Sequence, residues 1–132
     1  MAQNSEVKLL KFSLLVVAIL SLIEGLGYLF APAMVIKLTG GNPIDFVWLR
    51  WVGGVIIALG IGTLMVFSKP EKQGIFVLTT AMGHLFAGLG LLYCWIAHEY
   101  SGKSQFLVMT ACLALVLSAL VFWGRSKAKG IL

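Results

Sequence analysis

Two ionisable side chains stand where the chain is otherwise free of charge. Glu24 is the only charged residue between Lys11 and Lys37, and Arg50 is the only one from Phe46 to Ser68. An acid and a base inside long apolar runs are costly in hydrocarbon, so they mark a structural pair or a binding site. The chemistry open to them is an ion pair, a proton-linked carboxylate, or anchorage of an anionic headgroup by the guanidinium. Arg50 can also snorkel to the membrane surface. At the rise of an α-helix, Glu24 lies about 10 Å and Arg50 about 6 Å from the outer ends of their helices. Adjacent antiparallel helices let the two meet at those depths. Tyr28 and Trp51 fall at the same level and His84 lies deeper, so the five residues define a predicted polar cluster around a cleft that opens outward.

The remaining reactive residue types form no catalytic set. His84 lies near the middle of its apolar run, where a lone histidine hydrogen-bonds a neighbouring helix more often than it binds a ligand. A bis-histidine haem site needs a second axial ligand. The one other histidine, His98, lies at the boundary of the same helix, so a single chain cannot supply both across a bundle. Cys94 and Cys112 lack the Cys-x-x-Cys spacing of a reactive dithiol and read as small apolar side chains. Gly88-Leu89-Gly90 lies within an apolar run rather than after a strand, which excludes a phosphate loop. No nucleophile, base and orienter fall together and no acidic metal cluster is present. The residues favour a protein without catalytic residue, metal or required cofactor over an enzyme, quinone and haem being the two that a redox subunit could carry.

The elements that must position these residues follow from composition. Of 132 residues, 60% are apolar and 11% charged, against about a quarter charged in an average soluble domain. Mean hydropathy is +1.00. The apolar residues gather into runs at 12–31, 46–68, 74–97 and 105–124, each near or above the roughly 20 residues that cross a bilayer. Val52 to Ser68 shows no polar face at helical period, which a soluble bundle would require. The predicted fold is all-α: one integral membrane domain over 1–132, built as an antiparallel bundle of four transmembrane helices. Ala31-Pro32-Ala33 imitates a signal-peptide cleavage site. The apolar run before it is longer than a usual signal core, and Glu6 stands among the flanking bases, so an uncleaved helix is expected.

Four spans place both termini and the middle loop on one side, with Lys8, Lys11, Lys69, Lys72, Arg125, Lys127 and Lys129. Lys37 and Lys103 lie on the other. That bias predicts cytoplasmic termini. Trp48, Trp51, Trp95, Tyr28, Tyr93 and Tyr100 fall near the outer interface and Trp123 near the inner one. The net charge of +5 is thus accounted for by topology, with membrane lipids rather than nucleic acid as partner.

Short loops predict that consecutive helices are antiparallel neighbours. The exception is 32–45, where Pro32 and the turn chemistry of Gly40-Gly41-Asn42-Pro43 bracket a piece, Ala33 to Leu38, able to lie on the outer surface as one or two amphipathic turns. Gly54, Ala58 and Gly62, flanked by Gly53 and Gly60, recur on one face of the second span; Thr79, Gly83 and Ala87 do so on the third. Such faces let backbones approach closely in lipid. They serve either packing within one chain or assembly into a homo-oligomer or larger membrane complex.

One stretch carries a family likeness. Tyr28-Leu29-Phe30-Ala31-Pro32, then Gly40-Gly41-Asn42-Pro43, then Arg50-Trp51-Val52-Gly53-Gly54 and Ala58-Leu59-Gly60 resemble the DoxX-like group of small bacterial four-helix membrane proteins. The resemblance covers about residues 20–70 by motif and the rest by hydropathy. It implies the fold and topology already read, with Arg50, Gly53 and Gly54 as pattern residues. The group's name comes from a subunit linked to quinone-dependent sulfur oxidation, and most of its members are assigned no reaction. Two function classes follow: a non-catalytic accessory or ligand-binding bundle, and a quinone-linked or proton-coupled subunit.

Overall fold

The computed structural model describes residues 2–41, 46–128, 130 and 132. The predicted turn residues Asn42 and Pro43, and the charges Asp45 and Lys129, lie outside the described residues. Helix α1 covers Ala2–Phe30, α2 Pro32–Thr39, α3 Phe46–Ser68, α4 Gly74–Ile96 and α5 Ser104–Lys127. No strand occurs among the described residues. Four of the helices are long and apolar enough to cross a membrane: Val7–Phe30 within α1, then α3, α4 and α5. The chain is therefore a small integral membrane protein of all-helical build.

The helix ends follow from local chemistry. Pro32 has no N–H to continue the ladder of α1, so the chain bends at Ala31 and restarts as α2 with proline in its first turn. Gly40 ends α2 in the left-handed conformation at φ 69°, its N–H donating to Ile36 O at 2.9 Å. The interfacial segment of the sequence reading is this helix.

Close contacts decide which helices pair. A side chain at Gly53 would meet Gly25 O and Leu29 N at 2.8 Å, so α1 and α3 touch backbone to backbone. Gly88 receives Leu115 where α4 meets α5, and Gly124 of α5 lies against Leu10 and Ser13 of α1. Ser118 Oγ donates to Ala81 O at 2.8 Å, a buried bond from α5 to α4. The helices thus run α3, α1, α5, α4 in space, with α1 and α5 in the middle.

Consecutive helices are not always neighbours, contrary to the loop-length expectation. Despite the short connection Lys69–Gln73, α3 and α4 share few contacts, among them the Phe76 ring on Gly62. The specific seams α1–α3, α4–α5 and α1–α5 outweigh adjacency in sequence. The hydrophobic core gathers at the end that carries both termini: Leu10, Leu14, Val17, Val66, Val77, Ala81, Leu117, Val121 and Ala128.

Candidate functional site: a cavity beneath α2

Pro32 creates the first feature of this end. Without its N–H, the last carbonyls of α1 lack helical donors, and the negative end of the helix dipole points at them. Arg50 answers from α3: its Nη1 donates to Leu29 O at 2.7 Å. The expected Glu24–Arg50 ion pair does not form. The guanidinium caps α1 instead, on a carbonyl that the helix end leaves without a donor. No ion pair forms between any acid and base among the described residues.

Glu24 is exposed on α1, one turn before Tyr28 on the same face. Its carboxylate accepts a hydrogen bond from the Tyr28 hydroxyl. Trp51 is also exposed and meets Trp48 edge to face, ring centres 6.1 Å apart, on the outer surface of α3. His84 is half-buried, with Nδ1 2.9 Å from Thr80 O. A carbonyl only accepts, so Nδ1 carries the proton in that contact. Of the five residues of the predicted cluster, Glu24 and Tyr28 meet, and Tyr28 lines the cavity at this end.

That cavity has a volume of about 480 Å³ and lies at the α2 end. Tyr28, Leu49 and Leu91 bound it from α1, α3 and α4, and Phe106, Leu107 and Thr110 from α5. Val35, Ile36 and Thr39 of α2 cover it, and Glu99, Tyr100 and Ser101 close it from the α4–α5 loop. The two covers are fastened together at Thr39, whose carbonyl accepts from Lys103 N–H at 3.0 Å and from the Tyr100 hydroxyl at 3.1 Å. Lys103 Nζ donates to Leu38 O at 3.4 Å. These donors satisfy carbonyls that the end of α2 leaves free.

Sequence reasoning passed over Glu99, Lys103 and Thr39. Tyr100 was visible as an interface aromatic, and Gly40 as a turn, but their meeting depends on how the α4–α5 loop folds back. His98 adopts φ 55° in that loop, a conformation that single-sequence patterns do not announce for histidine.

The small-residue faces divide. Gly53, Gly60 and Gly62 pack against neighbours, whereas Gly54 and Gly83 have open space where a side chain would stand. Ala58 and Ala87 are exposed. Cys94 and Cys112 are free thiols, half-buried and exposed respectively. Among the described residues no three His, Cys, Asp or Glu side chains gather as a metal site. No family model matches the chain, and no curated protein or solved structure resembles it significantly.

Proposed function

We propose that the chain is a non-catalytic, ligand-holding bundle of a bacterial cytoplasmic membrane, storing or presenting a lipid or other hydrophobic molecule in its outer half. The observation that carries this reading is the cavity of about 480 Å³ under α2, a size within the range of small-molecule sites. Its wall is mostly apolar, and the hydroxyl oxygens of Tyr28, Thr110 and Tyr100, whose protons go to Glu24, Phe106 O and Thr39 O, remain as acceptors for a polar head. The bases Lys8, Lys11, Lys69, Lys72, Arg125 and Lys127 support cytoplasmic termini, which place α2 and the cavity toward the outer leaflet.

Membership of the DoxX-like group and a role beside a partner subunit belong to the same proposal. The place of Arg50 and Gly53 at the α1–α3 joint supports a structural use for those pattern residues. The exposed small residues Gly54, Ala58, Gly83 and Ala87 leave faces that a second copy or a partner helix fits.

Native mass spectrometry and solvent extraction of the protein, purified in mild detergent, test the reading. A stoichiometric lipid or quinone is expected, and Thr110→Trp, which fills the cavity, is expected to expel it. Absence of any retained molecule, or equal retention by the filled variant, would sink the proposal. A bound quinone would turn the reading toward the redox-linked class.

A further inference from the structure

We propose that the cavity takes an amphiphile with a cationic ammonium head, admitted sideways from the surrounding lipid between α1 and α5. The inference rests on the ligand-holding reading and adds the ligand's charge and its route. On α1, Leu10 and Ser13 face Gly124 of α5. Val17, Glu24 and Tyr28 continue that stripe at helical spacing, so they face the same way. On α5, Leu117, Leu113, Thr110 and Phe106 extend the stripe of Gly124 in the opposite direction along the bundle. Where the stripes meet near the termini they are buried. Toward α2 they part: Glu24, Leu113 and Phe106 are all exposed. Facing stripes that are both uncovered define a gap, and it leads to the cavity wall at Tyr28, Phe106 and Thr110.

The charge follows from what stands in that gap. Glu24 lies about 10 Å below the end of α1, a depth at which a carboxylate held by a neutral phenol, Tyr28, and by no cation is costly. Of the bases at this end, Arg50 is engaged on Leu29 O and Lys103 on Leu38 O, and Lys37 stands exposed on α2; none forms an ion pair with an acid among the described residues. Glu99, a second carboxylate, lines the cavity to which the gap leads. The rings of Tyr28 and Tyr100, whose faces attract cations, line that cavity. Two acids without a base and two phenols fit an ammonium group, while Ile36, Leu91 and Leu107 accommodate an apolar body.

Protein in nanodiscs of zwitterionic lipid can be titrated with dodecyltrimethylammonium and with dodecanol, each measured against empty nanodiscs. The cation is expected to bind about tenfold more tightly than the alcohol, the effect of one partly desolvated charge contact. Glu24→Gln is expected to remove most of that preference while dodecanol binding stays, Glu24→Asp to keep it, and Glu99→Gln to reduce it less. Leu113→Trp, which fills the gap, is expected to slow uptake about tenfold by blocking the lateral path. Equal binding of cation and alcohol would overturn the charge assignment and leave the ligand-holding reading intact. A preference untouched by both glutamate changes would overturn it too, and unchanged uptake in Leu113→Trp would overturn the route. Binding of neither probe above empty nanodiscs would bring down the ligand-holding reading itself.

Discussion

The two ends of the bundle use the same helices and the same seams to opposite effect. At the termini end, α1 offers Leu10, Ser13, Leu14 and Val17, and α5 answers with Leu117, Val121, Gly124 and Ala128, all buried. At the α2 end the continuing stripes carry Glu24 and Tyr28 against Phe106, Thr110 and Leu113, and a cavity opens. The difference lies in side-chain size and polarity at the seam. Gly124 lets the helices touch, its Cα facing Leu10 so closely that an added Cβ would stand 2.9 Å from the Leu10 Cα. Bulky and charged residues further along hold the helices apart, and α2 with the α4–α5 loop bridges the space instead. In lipid, where no hydrophobic effect draws helices together, close packing by small residues is what keeps one end shut.

The strongest way to break that contrast is to remove the closure. Gly124→Leu forces a branched side chain into backbone, and it is expected to cost about 3 kcal/mol or more in unfolding free energy by steric trapping in bicelles. Adjacent glycines on α3 give an internal control. Gly53→Ala meets the backbone of α1 at 2.8 Å and should cost about 1–3 kcal/mol, whereas Gly54→Ala meets nothing and should be neutral within ~0.5 kcal/mol in the monomer. Equal losses for the pair would mean that Gly54 is covered by a second chain.

Arg50 sharpens the comparison from the open end. If its work is to cap α1, Arg50→Gln should cost about 1–2 kcal/mol through the lost charge-assisted bond to Leu29 O. Glu24→Gln should cost little, and the two changes should add. A double variant more stable than the sum would restore the ion pair that the geometry denies.

The fold was largely legible, because twenty-residue apolar runs leave little choice of structure in a membrane. The bounds 46–68 coincide with α3, and the extra turns of α1 and α5 come from polar flanks that hydropathy alone does not count as span. The pairing of helices was less legible: nothing in the short Lys69–Gln73 connection says that α3 and α4 diverge. For the site, Tyr28 and the level of the cleft could be read, but Arg50 and Glu24 could not be matched to partners. Charges advertise themselves in an apolar sequence, whereas the orphaned carbonyl that captures Arg50 is a backbone group present at every residue. Pro32 held the clue, since a missing N–H implies a carbonyl in need of a donor.

The smallest effect concerns the cover of the cavity. α2 is a short helix, and helices of that length are marginal on their own. Its order therefore depends on the groups that hold its last turn: the Tyr100 hydroxyl and Lys103 N–H on Thr39 O, and Lys103 Nζ on Leu38 O. Tyr100→Phe removes one neutral hydrogen bond and is expected to cost about 0.5–1.5 kcal/mol. The loss should stay local, because the core that fixes global stability lies at the other end. Hydrogen exchange on the purified protein separates the two ends directly. Amides of Val35 to Gly40 are expected to exchange up to about tenfold faster in Tyr100→Phe, with those of Leu10 to Val17 and Leu117 to Gly124 unchanged. Lys103→Met should act in the same direction but less, since its backbone N–H bond to Thr39 survives the change and the Nζ contact is long. If protection falls equally at both ends, the cover is part of one cooperative unit with the core, and the division of the bundle into a closed half and a hinged half is wrong.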